Sequence, residues 1–140
     1  MTYRTQNRLV IAGGLLLLLS LLGFGARKMQ RLGNGIWGGQ HIQFHVSDGS
    51  AAIEYDCAHG SITGPLTFDT EGRFSWRGSY IRERGGPVRI DDKVNSQPAT
   101  YSGWIKGDTM TLTLEIENSS DPAPTFNLKR SSVGRVWKCK

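Results

Sequence analysis

Apolar residues alternate with polar residues along most of the chain from Gly35 onward. In residues 42–46 (IQFHV), Ile42, Phe44 and Val46 fall on one side of an extended strand, and residues 51–57 alternate in the same way. No stretch of this part keeps the spacing of an amphipathic helix, and Asp-Gly, Gly-Gly and proline-containing segments interrupt the alternation. The pattern therefore predicts an all-β domain over residues 35–140.

The alternation also predicts which segments pair. Asp48-Gly49 suits a tight hairpin turn, Lys106 to Thr109 contains a Gly-Asp turn, and His59-Gly60 is the expected turn after residues 51–57. The predicted hairpins join residues 42–46 with 51–55, residues 66–68 with 74–76, and residues 99–105 with 110–116. A last strand is expected at residues 125–130. The charged segment 81–98 is predicted to be a long loop with a short strand at residues 88–90.

The beginning of the chain has a different character. Residues 9–26 contain no charged side chain and include a run of five leucines, which is typical of an export segment. The segment 1–26 is therefore predicted to be either a cleaved signal peptide or an uncleaved N-terminal membrane anchor, and the sequence leaves both open. Residues 27–34 are expected to be a linker. Either alternative predicts that the domain lies outside the cytoplasm, in the periplasm, at the cell surface or secreted.

The two cysteines, Cys57 and Cys139, both follow the apolar segment. In an oxidising compartment the simplest interpretation is a disulfide, and the alternative is two free buried thiols. A bond between them would close a loop of about 80 residues and stabilise the fold by on the order of 4 kcal/mol in the loop-entropy account.

Composition and motifs exclude several classes of function. After residue 26 there are 15 basic and 12 acidic residues, and no basic run suggests nucleic-acid binding. The chain contains no Gly-x-Ser-x-Gly, phosphate-loop, Cys-x-x-Cys or zincin motif. His41, Asp56 and His59 form a weak candidate metal site, because the first hairpin would make His41 and Asp56 neighbours. Catalysis by Cys57 with His59 fails on distance, since residues two apart on a strand keep parallel side chains about 6 to 7 Å apart.

Several segments resemble known proteins. Gly35-Ile36-Trp37 is similar to the Gly-x-Trp start of lipocalin and avidin-like barrels, in which the tryptophan plugs one end of an eight-stranded cylinder. The segments GIWGGQHI, IEYDCAHGSITGPL, GRFSWRGSY with ERGGPVR, and YSGWIKGDTMTLTL together resemble a group of small exported bacterial proteins of unassigned activity. The resemblance implies a small antiparallel, up-and-down, lipocalin-like β-barrel of about eight short strands. A β-sandwich is the alternative fold.

These observations favour a non-catalytic binding module for a small apolar ligand or an envelope partner, with no cofactor. The barrel mouth, the 81–98 loop and Trp104 are the expected binding regions. One alternative is an enzyme or metal-binding protein using His41, Asp56 and His59, and another is a structural or inhibitory surface protein. A barrel filled completely by its core would favour the last of these. The predicted ligand-binding residues are Trp37, Tyr101, Trp104 and Arg84.

Overall fold

The alternating segments form ten strands in a computed structural model that describes residues 25–140. The strands are β1 (Gln30–Arg31), β2 (Gly35–Gly39), β3 (Ile42–Ser47), β4 (Ser50–Tyr55), β5 (Ala58–Ile62), β6 (Thr67–Phe68), β7 (Arg73–Arg82), β8 (Ser96–Lys106), β9 (Thr109–Ile116) and β10 (Thr125–Arg130). Apart from Gly25 and Ala26, which are exposed, the predicted export segment 1–26 lies outside the described residues. Within residues 25–140, no helix has the length and apolar character needed to cross a bilayer.

Eight of the strands close into an antiparallel barrel. Around the barrel the order is β10, β2, β3, β4, β5, β7, β8 and β9, and β9 pairs again with β10. Closure confirms the predicted barrel over the β-sandwich. β1 and β6 form a separate two-stranded sheet.

The first and third predicted hairpins are confirmed in register. Phe44 lies opposite Ile53 in β3 and β4, and Tyr101 lies opposite Leu114 in β8 and β9. The final strand also has the predicted bounds, 125–130. In each case apolar residues on one face meet across the pair, so a slip of one residue would turn the core face to solvent.

The second predicted hairpin is wrong. Residues 67–68 form β6 and pair with β1, whereas β7 pairs with β5 and β8. The Asp69 carboxylate accepts hydrogen bonds from the backbone N–H groups of Glu71 and Arg73. These bonds turn the chain from β6 into β7, and the two strands do not pair with each other. Because Gln30 and Arg31 carry no apolar pattern, the sequence did not indicate this partner.

The turn after β4 also differs from expectation. It lies at Asp56 and Cys57, with φ of 53° at Cys57, whereas the sequence placed it at His59-Gly60. Gly60 is instead a barrel residue, where an added Cβ would collide with the Tyr101 hydroxyl and the Ser79 carbonyl oxygen. The glycine provides space inside the barrel and does not form a turn.

The segment 81–98 is shorter as a loop than predicted. β7 extends to Arg82 and β8 begins at Ser96, so the loop covers residues 83–95, and residues 88–90 form no strand. At the other end of the domain, β1 and the buried Leu32 belong to the folded unit, which therefore begins before Gly35.

One end of the barrel is closed by large side chains. Trp37 is buried in β2, and the guanidinium of Arg130 lies over its ring at 4.8 Å from the centroid. Phe74 and Trp76 stack with ring centroids 3.9 Å apart, and the indole N–H of Trp76 donates to the Thr67 carbonyl oxygen at 2.8 Å. Leu66, which is 1% exposed, packs in the core from the segment before β6. We call this the closed end.

After β10 the chain returns along the outside of the barrel. We call residues 131–140 the C-terminal strap. The N–H of Ser131 donates to the Ile36 carbonyl oxygen, and the N–H of Arg135 donates to that of Gly39. An added Cβ at Gly38 would collide with strap backbone, so the missing side chain lets the strap lie flat on β2.

The predicted disulfide is present. Cys57 and Cys139 are bonded, with Cα atoms 4.9 Å apart, and the bond fixes the end of the strap to the β4–β5 turn. The link spans 82 positions of the chain.

Candidate ligand pocket at the open end of the barrel

The second end of the barrel, which we call the open end, contains a pocket. The β2–β3 and β4–β5 turns, the 83–95 loop and the β9–β10 loop all lie at this end, because successive strands alternate in direction. The pocket has a volume of about 600 Å³ and is partly open to solvent. Its wall is formed by His41, Tyr55, Asp56, Tyr80, Arg82, residues 114–116, Ser119, residues 121–124 and Phe126.

Three aromatic rings form much of the apolar wall. The Tyr55 ring centroid lies 5.8 Å from that of Tyr80 and 5.6 Å from that of Phe126, and both pairs are tilted. Such separations are typical of attractive aromatic pairs. Leu114 and Ile116 contribute aliphatic surface from β9. The lining therefore combines this apolar wall with a polar surface that is nearly as large.

The Tyr55 hydroxyl is the unusual group in this pocket. Tyr55 is only 4% exposed, and its hydroxyl has no hydrogen-bond partner within the described residues. The neighbouring Tyr101 hydroxyl donates to the Ser79 carbonyl oxygen at 2.7 Å. Burial raises the pKa of Tyr55, and burial also raises the pKa of Tyr101, to about 12. Both phenols are therefore neutral near pH 7.

His41 and Asp56 lie together at the rim of the pocket. Nδ1 of His41 is 2.5 Å from Oδ2 of Asp56, and the backbone N–H of Trp137 donates to Oδ1 of Asp56 at 2.8 Å. This N–H is the main cause that lowers the pKa of Asp56, and His41 lowers it further. The His41 ring also contacts the Trp137 ring, with centroids 5.4 Å apart. The strap thus holds one side of the pocket rim.

A second charged cluster holds the strap beside the disulfide. Nζ of Lys138 forms ion pairs with Glu54 and with Glu83, the latter at 2.9 Å, and donates to the Ala58 carbonyl oxygen. Nδ1 of His59 lies 2.9 Å from the same Glu83 oxygen. The hydrogen bond from Lys138 is the largest cause that lowers the pKa of Glu83. These groups connect β4, β5, the 83–95 loop and the strap.

Comparison with known protein families, with curated proteins and with solved structures finds no match to this chain.

None of the four predicted ligand-binding residues lines the pocket. Trp37 and Tyr101 are core residues, 1% and 0% exposed. Trp104 lies on the outer face of β8 and is 53% exposed, and Arg84 is an exposed residue of the 83–95 loop. The structure therefore brings none of these four together at one site, although Tyr101 packs beside Tyr55.

The candidate metal residues are only partly brought together. His41 and Asp56 are neighbours, as the first hairpin predicted, but His59 pairs with Glu83. Among residues 25–140, no group of three or more histidine, cysteine, aspartate or glutamate side chains is arranged to hold a metal ion.

The pocket residues that sequence reasoning missed had a partial signal. Tyr80 continues the alternation of Trp76 and Gly78 along β7, and Phe126 precedes the buried Leu128 by two positions. Their inward direction was therefore available from the pattern. The pattern could not predict that these side chains contact Tyr55, because that contact depends on closure of the barrel between β9 and β10.

Proposed function

We propose that this protein is an exported, non-catalytic binding protein that takes a small, largely apolar ligand into the open-end pocket. The volume lies within the range of about 300 to 1,000 Å³ that is typical of small-molecule sites. An apolar wall with a few polar groups is also typical of such sites.

The unpartnered Tyr55 hydroxyl is the observation that carries this proposal. A buried hydroxyl without a hydrogen bond costs about 1 to 3 kcal/mol of folding free energy. A ligand that shifts the pocket wall enough to expose this hydroxyl would offset that cost with a polar atom, while its apolar part would lie against the aromatic rings.

The other hypotheses receive less support. A fully packed barrel would have favoured a structural or inhibitory role, whereas this barrel has a pocket at one end. A metal or catalytic centre on His41, Asp56 and His59 is weakened by the pairing of His59 with Glu83. Export is supported by the apolar run before residue 26 and by the disulfide, a bond typical of oxidising compartments.

The test is a fluorescence titration with N-phenyl-1-naphthylamine, a neutral aromatic probe that becomes bright in apolar sites. Ala123, an exposed residue of the β9–β10 loop that lines the pocket, is replaced by tryptophan to fill the mouth. The matched control is Ala52→Trp, on the exposed outer face of β4.

We expect saturable binding to the wild type and to Ala52→Trp, and a loss of affinity of about tenfold or more in Ala123→Trp, which corresponds to about 1.4 kcal/mol. Absence of binding to the wild type, or equal binding by Ala123→Trp, would overturn the proposal.

A further inference from the structure

A second cavity lies on the outer wall of the barrel, over the first half of β8. It has a volume of about 310 Å³ and is bordered by Arg77, Gly78, residues 98–100 and residues 115–117. Arg77, Thr100 and Glu115 form one cross-strand row and alternate along their strands with inward-facing residues, so their side chains face outward. We call this cavity the lateral cleft.

The outer surface next to the lateral cleft is made of hydroxyl groups. The adjoining cross-strand row, on four neighbouring strands, consists of Ser75, Ser102, Thr113 and Thr125. The Thr113 and Thr125 hydroxyls are 3.0 Å apart, and in the next row the Thr111 hydroxyl donates to Oδ1 of Asn127 at 3.3 Å. These side chains are uncharged, and each hydroxyl can both donate and accept a hydrogen bond.

Trp104 lies at the other end of this hydroxyl surface. It faces outward opposite Thr111 and follows Thr100 by four residues on the same face of β8, which places the two about 13 Å apart along the strand. Its neighbour on β7 is Arg73, which forms an ion pair with Glu71. The half-exposed indole presents a flat apolar ring among polar groups. An aromatic ring, a band of hydroxyls and a polar cleft therefore lie in one line along β8.

We propose that this face binds a neutral oligosaccharide laid along β8, with one sugar ring stacked on Trp104 and the following rings over the hydroxyls towards the lateral cleft. A sugar ring has an apolar C–H face and a rim of hydroxyls, so it matches an indole beside hydroxyl groups. In the cleft, the Glu115 carboxylate would accept a sugar O–H, and the Arg77 guanidinium would donate to a sugar oxygen. This site is separate from the open-end pocket, and the inference does not depend on the proposed function.

The charges and strand pairing of this face favour such a ligand over a charged polymer or a peptide. In the lateral cleft Arg77 is accompanied by Glu115 and Glu117, so ionic groups of both signs are present, and the adjoining row carries hydroxyls alone. Residues 99–104 of β8 are paired on both sides, so β8 offers no free edge there for an added peptide strand.

Lys106 and Lys129 define the competing outcome, an anionic saccharide. Both lie one cross-strand row beyond Trp104, towards the closed end, and could pair with the carboxylates of an acidic sugar. A neutral ligand between the indole and the lateral cleft would not reach them. The two ligand classes therefore predict opposite orders of affinity for a neutral saccharide and its acidic counterpart.

The test is an NMR titration of ¹⁵N-labelled protein with cellohexaose and chitohexaose, two neutral β-1,4-linked hexasaccharides whose rings have flat C–H faces. With at least one of them we expect saturable shifts of the Trp104 indole N–H and of the Thr100 and Ser102 amides, whereas the Phe126 amide in the open-end pocket stays unchanged. A β-1,4-linked glucuronate hexamer, the anionic counterpart of cellohexaose, should bind about fivefold or more weakly than the better neutral saccharide, because the cleft carboxylates oppose it.

The matched variants remove one side chain each. Trp104→Ala should bind the saccharide about fivefold or more weakly, because the stacking surface is lost, and Trp104→Phe should retain part of the affinity. Arg77→Ala should bind about threefold more weakly, by the loss of a hydrogen bond. The controls are Trp137→Ala on the strap and Arg89→Ala in the 83–95 loop, both exposed residues away from this face, and both should bind as the wild type does.

The outcomes decide the assignment. It is overturned if neither neutral hexasaccharide shifts the Trp104 indole signal, if the shifts centre on the open-end pocket, or if Trp104→Ala and Trp137→Ala bind equally well. Tighter binding of the glucuronate hexamer would overturn the neutral class of ligand. None of these results bears on the open-end pocket, whose function is tested separately with N-phenyl-1-naphthylamine.

Discussion

Tyr55 is the residue at which stability and the proposed ligand binding oppose each other. Its hydroxyl is buried without a partner, whereas the hydroxyl of its neighbour Tyr101 donates to the Ser79 carbonyl oxygen. Two phenols of the same barrel thus differ in one property, a satisfied hydrogen bond. That difference predicts opposite effects when each hydroxyl is removed.

We expect Tyr55→Phe to raise the free energy of unfolding by about 1 kcal/mol, because it removes an unsatisfied buried group. Tyr101→Phe should lower it by about 1 kcal/mol, because it removes a formed hydrogen bond. Urea unfolding at neutral pH measures both. If Tyr55→Phe is destabilising, its hydroxyl has a partner in the folded protein and the main argument for a ligand is lost.

The same variants separate folding from binding. Tyr55→Phe should bind N-phenyl-1-naphthylamine about fivefold more weakly, by the loss of about 1 kcal/mol, despite its greater stability. A core variant of similar stability would show no such loss.

The C-terminal strap is the element that joins the disulfide to the pocket rim. Its backbone pairs with β2 near Gly39, and Trp137 and Lys138 hold the acidic residues Asp56 and Glu83. The barrel itself closes through β9 and β10, which do not include the strap. Removing the disulfide should therefore lower the stability of the fold and leave its topology intact.

Replacing both Cys57 and Cys139 by alanine should lower the free energy of unfolding by on the order of 4 kcal/mol, because the bond closes a long loop in the unfolded chain. Urea unfolding gives the stability, and circular dichroism in water reports whether the β-structure persists. An unchanged unfolding midpoint would show that the strap is not tied in solution. Reduction of the wild type should reproduce the effect of the double variant.

The ion pairs of the strap predict how stability depends on pH. Hydrogen bonding from Lys138 lowers the pKa of Glu83, and the Trp137 N–H lowers that of Asp56. A carboxylate with a lowered folded pKa adds stability above its unfolded pKa, and the stability is lost as the pH falls through the folded pKa. Burial acts to lower the pKa of Lys138, but its bonds to Glu54 and Glu83 outweigh this and raise it, so its contribution is lost only at alkaline pH.

The urea midpoint should therefore fall as the pH drops below about 4.5, near the ordinary pKa of a glutamate. Glu83→Gln should be less stable at neutral pH, and its urea midpoint should fall less steeply than that of the wild type as the pH drops (a shallower acid limb). Glu71→Gln, at an exposed carboxylate near the closed end, is the control and should keep the wild-type limb. Parallel acid limbs for all three proteins would contradict this account of the strap.

At the scale of the whole molecule, the barrel is asymmetric. Trp37, Trp76 and Leu66 fill the closed end, whereas the open end retains a pocket of about 600 Å³. The two-stranded sheet of β1 and β6 lies outside the barrel ladder, and the N–H of Leu32 donates to the Leu66 carbonyl oxygen beside it. A ligand of the proposed kind would therefore enter at the open end.

How far the sequence predicted this molecule depended on the distance between partners along the chain. The hairpins at Asp48-Gly49 and at residues 107–108 were predicted in register, because alternation and turn residues are local signals. The pairing of β1 with β6 was missed because it joins segments more than thirty residues apart without an apolar pattern.

The candidate site followed the same rule. The His41–Asp56 contact was predicted from one hairpin. The disulfide is the exception, because it joins residues 82 positions apart and was predicted from compartment chemistry. The pocket was not, because Tyr55, Tyr80 and Phe126 come from three separate strands and meet only when the barrel closes. Trp104 was predicted to bind a ligand, and it is exposed on the outer face of β8, away from the pocket.

The most direct test of the central claim is an NMR titration of uniformly ¹⁵N-labelled protein, residues 27–140, with N-phenyl-1-naphthylamine. We predict that the amide shifts concentrate at the open end, in residues 119–123 and around Tyr55, Tyr80 and Phe126. Amides near Phe74 at the closed end and near Trp104 on the outer face should not move. Shifts centred on Trp104, on the 83–95 loop or on the closed end would contradict the assignment of the open-end pocket as the binding site.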